Sequence, residues 1–254
     1  MEYESLQQLL NWKPVSGELH IISHGILTPG GRLVIFGKYK SWKSMLANHT
    51  AFCIATGRDW FGYKTKKSTV LVLQFELAKL ALRDRVAKYT EHFGLKPDNL
   101  FFVTEHYAKF DSGSGLAALD KVVSESKAEV LIFDPLYKIM SGHITDAYDM
   151  GRLLDNVDFI RVKHNLTIII VTHTRKTLIT PQGVIDLGTD ELIGSSILPD
   201  WLDSAINIKK LRETKIVTTL EITFTAMRLS EELLRPIQIY FPRATLIPSI
   251  VLTI

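Results

Sequence analysis

The chain has 254 residues, of which 46% are hydrophobic and 22% are charged. This composition predicts a folded globular protein with a sizeable core, and it excludes the class of disordered chains that combine low hydrophobicity with high charge. The formal net charge of only +3 gives no overall sign of nucleic-acid binding, so that function has to be argued from local clusters of residues.

Cysteine content and the chain ends favour a cytoplasmic protein without a membrane partner. The single cysteine, Cys53, lies among apolar neighbours, which predicts a buried, inert thiol. The first residues are acidic, so we expect no secretory signal. The apolar run at residues 237–254 contains Pro242 and Pro248, which favours strands and turns over a membrane helix.

Predicted strands and helices alternate along the first 173 positions. Short runs rich in apolar and β-branched residues predict strands at residues 33–36, 69–75, 100–103, 129–133 and 167–172. Segments with helical spacing of apolar residues, such as Leu80, Val86 and Tyr89 in the second, predict helices at residues 43–56, 77–93, 115–126 and 147–163. This alternation predicts an α/β fold with a mostly parallel sheet flanked by helices.

After His173 the pattern changes. Residues 174–199 are polar and contain glycines, which is typical of a functional or mobile loop. Further strands are predicted at residues 204–208, 216–224, 237–241 and 245–252. We interpret residues 1–254 as a single domain with an N-terminal segment (1–31), a nucleotide-binding core (32–176), a mobile loop (177–200) and C-terminal strands (201–254).

A candidate phosphate-binding loop lies between the first predicted strand and helix. Its sequence, Gly-Lys-Tyr-Lys-Ser-Trp-Lys-Ser, matches the pattern G-x-x-x-x-G-K-S/T at every fixed position but one. In such a loop, backbone N–H groups bind the phosphates, the lysine reaches the β- and γ-phosphates, and the hydroxyl ligates Mg²⁺. The predicted ligand-binding residues are Gly37, Lys38, Tyr39, Lys40, Ser41, Trp42, Lys43 and Ser44. An ordinary strand-to-helix turn without a ligand is the alternative.

Three polar residues follow other predicted strands. Asp134 ends an apolar strand, as a carboxylate that holds Mg²⁺ together with Ser44 does, although an ordinary Asp-Pro turn is the alternative. Glu76 could orient or deprotonate an attacking water, or could simply be a helix N-terminal glutamate. His173 could sense the γ-phosphate, or could be a core histidine. Because the carboxyl ends of parallel strands share one edge of a sheet, ligands bind there.

Basic residues late in the chain are candidates for a group that acts on the nucleotide of a neighbouring subunit, as an arginine finger does. These candidates are Arg175, Lys176, Lys209, Lys210 and Arg212.

With these residues in order, the chain resembles the RecA-like AAA ATPases of the RepA-type hexameric helicase group. The resemblance rests on five blocks: Gly-Gly-Arg-Leu-Val-Ile-Phe-Gly37, Glu76, Ile-Phe-Asp134-Pro-Leu-Tyr-Lys138, Ile-Ile-Val-Thr-His173-Thr-Arg-Lys176, and Ile193-Gly-Ser-Ser196 with Trp201-Leu-Asp203-Ser.

The resemblance implies ATP and Mg²⁺ bound at Lys43 and Ser44, Glu76 as the catalytic glutamate, Asp134 as the Walker B acid and His173 as the γ-phosphate sensor. It also implies a ring-shaped oligomer, with a hexamer favoured, whose mobile loop contacts single-stranded DNA. The family has glycine where this chain has Trp42, and we expect the indole to point away from the phosphates.

Two functions from different classes follow from this reading. The first is an ATPase that acts on DNA, as a helicase or as a recombination or replication accessory factor. The second is a nucleotide-gated loader or regulatory module that binds ATP or ADP but hydrolyses little, which Trp42 favours. A small-molecule kinase is a third class, which the absence of an evident lid or acceptor-binding insertion disfavours.

Overall fold

The computed structural model describes residues 3–13, 20–104, 107–174, 179–180, 183–184, 197–230 and 232–251 of the chain. Its strands are β1 (Arg32–Gly37), β2 (Val70–Gln74), β3 (Leu100–Val103), β4 (Val130–Asp134), β5 (Thr167–His173), β6 (Ile179–Thr180), β7 (Gly183–Val184), β8 (Ser204–Glu213), β9 (Val217–Met227), β10 (Ile237–Pro242) and β11 (Ser249–Ile250). Its helices are α1 (Leu6–Asn11), α2 (Lys43–Thr56), α3 (Lys79–Phe93), α4 (Gly113–Ser126), α5 (Ala147–His164) and α6 (Ile197–Trp201), with a 3₁₀ turn at Leu136–Ile139. None of these described helices combines the length and the apolarity needed to cross a membrane.

One nine-stranded sheet organises the molecule, in the order β11-β10-β9-β8-β1-β5-β4-β2-β3. The strands from β8 to β3 in this order run parallel to their neighbours. Strands β9, β10 and β11 pair antiparallel at the other side. The predicted α/β class, with a mostly parallel sheet and additional C-terminal strands, is confirmed.

Both faces of the sheet are buried. In β1, Leu33 and Ile35 pack into the core on the side of α2, whereas Val34 and Phe36 pack into the core on the side of α5. All four side chains have no exposed surface. Because successive strand residues point to opposite faces, a strand covered on both sides has to be apolar at every position, which explains the continuous apolar runs of the sequence.

Helix α3 confirms the helix that the periodicity predicted, but it buries only some of its apolar residues. The side chain of Leu80 is 61% exposed, and the buried residues are Leu82 and Tyr89. Successive helical residues are rotated by about 100° around the axis, so Leu80 lies on the opposite side of the helix from Leu82. The helix also begins at Lys79, two residues later than predicted.

The C-terminal half differs from prediction in length and turn positions. Within the predicted loop, β6 pairs with β7 and α6 begins at Ile197, while most of the remaining loop positions lie outside the described residues. Strand β8 extends to Glu213, beyond the predicted end. The strand predicted at 245–252 is limited to Ser249–Ile250, because Leu246 has a left-handed backbone (φ 57°) and its N–H donates to the carbonyl of Pro242 in a turn.

Trp201 and Asp203, from the last block of the family resemblance, form contacts near the amino-terminal end of β1. Asp203 Oδ2 accepts hydrogen bonds from the backbone N–H and the Nε of Arg32, at 3.0 and 3.1 Å, where β1 begins. Trp201 Nε1 donates to Asp158 Oδ2 at 2.9 Å. These contacts lie at the amino end of β1, away from the loop that follows its carboxyl end, so they stabilise the β1–β8 pairing.

Candidate functional site

A cavity of about 530 Å³ opens at the carboxyl ends of the parallel strands. The strand order brings β1, β5, β4 and β2 side by side, so the residues that follow these strands meet there. Of the residues singled out in the sequence, those that line the cavity are Tyr39, Lys40, Ser41, Trp42, Lys43, Ser44, Glu76, Asp134, His173 and Lys210.

The loop begins at Gly37 because no larger residue fits. A Cβ at this position would lie 2.5 Å from the carbonyl oxygen of Ile208 and 2.8 Å from Ser41 Oγ. Since real Cβ atoms do not approach backbone oxygens this closely, glycine is what allows the loop to turn directly beside β8.

The ammonium of Lys43 is held by the loop itself. Its Nζ donates to the carbonyl oxygens of Gly37 and Lys38, at 3.0 and 2.8 Å. Gly37 and Lys38 do not line the cavity, but their carbonyls fix the lysine inside it. Burial lowers the pKa of Lys43 to about 8, an effect that the carboxylates of Asp134 and Glu76 oppose.

Helix α2 presents an uncapped N-terminus to the cavity. The residue before it, Trp42, has a left-handed backbone (φ 68°, ψ 19°) and no side-chain cap bonds the first turn. Lys40 is also left-handed, with φ 57°. The first N–H groups of a helix have no intrahelical partners. A loop in which left-handed residues alternate with other backbone conformations directs its N–H groups inward. This end of α2 can therefore bind an anion such as a phosphate.

The indole of Trp42 packs against the C-terminal strands. Its ring lies 5.5 Å from the ring of Phe241, and the guanidinium of Arg243 lies 5.7 Å over it. Arg243 also donates from Nε to the carbonyl of Thr214 at 2.9 Å and pairs with Glu213. These contacts hold the side chain against β10, at the wall of the cavity, and the expectation that the indole points away from the phosphates stays a prediction.

Ser44 and Asp134 form the second polar centre. Ser44 Oγ donates to Asp134 Oδ1 at 3.0 Å, whereas the buried Oδ2 has no hydrogen-bond partner of normal geometry among the described residues. Burial raises the pKa of Asp134 to about 6, against the opposing effect of the Ser44 hydrogen bond.

This pair fits Mg²⁺, which takes hard oxygen ligands and completes its shell with water and substrate phosphates. Within the described residues there is no group of three or more His, Cys, Asp or Glu side chains that could hold a metal ion. A cation here would take its remaining ligands from water or from a bound phosphate.

Glu76 and His173 lie at the end of the cavity that faces β2 and β5. The N–H groups of Glu76 and Leu77 both donate to Gln74 Oε1, at 3.0 and 2.7 Å, which fixes the backbone of the glutamate. The His173 ring is half-buried, lies 5.8 Å from the ring of Tyr137, and has a pKa lowered by burial and by the charge of Lys43.

The five basic candidates separate into three groups. Lys210 lines the cavity of its own chain and pairs with Glu213. Lys209 and Arg212 belong to the same strand but do not line the cavity. Arg175 and Lys176 lie outside the described residues.

Several lining residues were not identified from the sequence, namely Met45, Leu77, Arg85, Pro135, Val171, Glu213, Arg243 and Leu246. Arg85 lies on α3, the helix that follows Glu76 in the chain, and burial lowers the pKa of Arg85. Arg243 and Glu213 come from the C-terminal strands, and only the docking of β8 and β10 beside the loop brings them to the cavity.

Comparison with known proteins gives a family and a fold. Residues 16–178 match a family model described as "AAA domain". The fold is RecA-like: it is similar to the RadB recombinase at a TM-score of 0.59 and 18% identity, covering 89% of this chain and 92% of that one. It is also similar to a KaiC-like protein from the hyperthermophilic archaeon Pyrococcus horikoshii at a TM-score of 0.58 and 15% identity, covering 91% and 93%. No curated protein matches the chain.

The raised pKa of Asp134 predicts a specific pH dependence of stability. The Asp134 carboxyl has a pKa of about 6 in the folded protein, against a value of 3.8 in the unfolded chain. Its contribution to the stability of the fold is fully present below pH 3.8 and is lost as the pH rises through 6. Asp134→Asn removes that loss. Its free energy of unfolding should therefore increase relative to the wild type by about 2 kcal/mol between pH 4 and 7.

Urea unfolding of both proteins without Mg²⁺ or nucleotide measures this difference. Buried His49, whose pKa is lowered to about 3, is present in both proteins and cancels. The exposed Asp155→Asn is the matched control, with a small difference from the wild type at every pH. A difference for Asp134→Asn that does not grow with pH would contradict the buried, ionised carboxyl.

The left-handed backbone at Trp42 predicts an order of stability between two truncations. Trp42→Gly and Trp42→Ala both lose the packing on Phe241, but only glycine adopts φ 68° without strain. The glycine variant should be the more stable by about 1 kcal/mol in thermal or urea unfolding. An alanine variant of equal or greater stability would show that the backbone here is not left-handed.

Proposed function

Because the chain belongs to the AAA domain family, we propose that it is an Mg²⁺-dependent ATPase that binds ATP and ADP at the carboxyl edge of its sheet. One observation carries this proposal: a buried lysine ammonium, a serine hydroxyl and a buried carboxylate line the same cavity as an uncapped helix N-terminus. Together, Lys43, Ser44 and Asp134 offer a cation for the phosphates and oxygen ligands for a metal ion.

Each group has a defined part in nucleotide binding. The N–H groups at the start of α2 bind phosphate oxygens, and Lys43 exchanges its bonds to the loop carbonyls for the β- and γ-phosphates. Ser44 and Asp134 would hold Mg²⁺, which would supply charge compensation as a Lewis acid.

Hydrolysis requires a base beside the γ-phosphate. In the proposed reaction, Glu76 accepts a proton from a water whose oxygen forms a bond to the γ-phosphorus, while the bond from that phosphorus to the β–γ bridging oxygen breaks. The products are ADP and inorganic phosphate. Lys43 stabilises the charge that develops on the phosphate oxygens, and His173 senses the γ-phosphate from the end of β5.

We further propose that the protein acts on DNA as a homo-oligomeric ring, with a hexamer favoured. The resemblance to the RepA-type helicase group supports a helicase, and the fold shared with the RadB recombinase supports a recombination or replication accessory ATPase. In this proposal residues 1–254 form a single domain, and the loop at 177–200, most of which lies outside the described residues, is the candidate contact with single-stranded DNA.

Completion of the site by a neighbouring subunit is part of this proposal. Because Lys210 already lines its own cavity and pairs with Glu213, Lys209 and Arg212 are the better candidates for reaching a neighbour's γ-phosphate among the described residues.

A second function, a nucleotide-gated module with little turnover, is favoured by one specific observation. Trp42 stands at a strained backbone position of the loop and ties it to β10 through Phe241 and Arg243. These contacts would restrain the movement of the phosphate-binding loop during a catalytic cycle. The effect of DNA on turnover separates the two functions.

ATP hydrolysis by the purified protein, with and without single-stranded DNA, is the test of these assignments. We expect turnover that rises with DNA, that disappears in Lys43→Ala, and that falls by about 100-fold or more in Glu76→Gln, because a general base contributes that much.

Lys121→Ala and Glu125→Gln, in an exposed ion pair of α4, are the matched controls and should keep wild-type turnover. Full turnover in Glu76→Gln would show that Glu76 is not the base. Nucleotide binding without DNA-stimulated turnover would favour the gated module.

A further inference from the structure

The 3₁₀ turn after β4 is a rigid element beside the cavity. The side chains of Leu136 and Ile139 have no exposed surface, which anchors both of its ends in the core. Lys109 Nζ donates to the carbonyls of Lys138 and Met140, at 2.9 and 2.6 Å. Tyr137, between the two anchored ends, therefore projects from a fixed backbone.

The hydroxyl of Tyr137 donates a hydrogen bond to Glu76 Oε1. It is the only hydrogen bond to the carboxylate of Glu76 among the residues that the structure describes. Burial, followed by the hydrogen bond and the charge of Glu76, raises the pKa of Tyr137 above its usual value, so the phenol stays protonated and remains a donor at neutral pH.

Glu76 needs such a partner because little else fixes its side chain. The residue is exposed, and Gln74 fixes only its backbone. A free glutamate side chain samples several rotamers, and ordering it costs conformational entropy. A hydrogen bond from a rigid donor selects one rotamer in advance and leaves Oε2 open to a water molecule.

We infer that Tyr137 is a positioning residue for the base of the reaction: it holds Glu76 Oε1 so that Oε2 receives the proton of the attacking water. This inference rests on the proposed role of Glu76 in hydrolysis. Tyr137 acts through Glu76 and makes no bond to the nucleotide.

The substitution Tyr137→Phe isolates this role. It keeps the aromatic ring that lies 5.8 Å from the His173 ring and removes only the hydroxyl. We expect kcat to fall about tenfold with KM for ATP unchanged, because a hydrogen bond to a charged group is lost while the phosphate site is retained. The control is Tyr148→Phe, an exposed tyrosine of α5, which should behave as the wild type.

A double-mutant cycle separates positioning from a general structural role. In a Glu76→Ala background, measured by single turnover, adding Tyr137→Phe should change the residual rate by less than twofold, because the group it positions is gone. An equal tenfold fall in both backgrounds, or a fall in KM and kcat together with a lower melting temperature, would overturn the inference.

The same measurements distinguish the failure of this inference from that of the proposed function. Wild-type turnover that Lys43→Ala abolishes, together with an unchanged rate in Tyr137→Phe, would overturn only the role of Tyr137. A wild type without turnover would overturn the proposed hydrolysis and this inference with it.

Discussion

The site depends on the burial of two opposite charges at one edge of the sheet. Lys43 and Asp134 are both less than 10% exposed, and removing a charged group from water is costly unless a partner compensates it. Burial lowers the pKa of the lysine to about 8 and raises that of the aspartate to about 6. Both groups are therefore charged only over a range of about two pH units around neutrality. Among the described residues, Lys43 Nζ donates only to neutral acceptors, the carbonyls of Gly37 and Lys38 and the hydroxyl of Ser41. Asp134 accepts from Ser44 on Oδ1, whereas its Oδ2 has no hydrogen-bond partner of normal geometry in the described part of the chain. A phosphate group and a divalent cation would complete what these bonds leave unsatisfied.

The sheet supports this arrangement by fixing backbone positions. Parallel pairing aligns Gly37 with His173 and Gln74 with Asp134, so the residues that follow β1, β5, β4 and β2 have a set register. The antiparallel strands add a second support, since β10 carries the aromatic surface on which Trp42 packs. A tryptophan with a left-handed backbone is strained by about 1–2 kcal/mol, and burial of a large aromatic side chain is of sufficient magnitude to offset that strain. The substitution of the usual glycine thus links the loop to a part of the fold that glycine could not contact.

Much of the fold was predictable because the signal is local. The apolar runs before Gly37, Asp134 and His173 predicted buried parallel strands, and helix α2 begins and ends where predicted, at Lys43 and Thr56. Because parallel strands share one carboxyl edge, the same reasoning brought Lys43, Ser44, Glu76, Asp134 and His173 to one cavity, while their chemical roles stay predictions. The apolar spacing of α3 predicts a helix but not its buried face, because several apolar residues fit a helical period and only packing selects one stripe; Leu80 is exposed. The sequence did not predict that Arg243, Glu213 and Lys210 line the cavity. The docking of β8 and β10, which includes a register shift near Lys210, brings them there, and no local pattern encodes that docking. Tyr137 lies three residues after Asp134, but nothing in the sequence links it to Glu76.

The most direct test of the central claim is equilibrium binding of ADP, by calorimetric titration at pH 7, to the wild type, Lys43→Ala and the exposed control Lys121→Ala. We expect saturable binding at one site in the wild type and the control, weakened when EDTA replaces Mg²⁺ and lost in Lys43→Ala. Equal binding by Lys43→Ala and the wild type, or no binding by the wild type with Mg²⁺ present, would contradict a nucleotide site built on the buried lysine and aspartate.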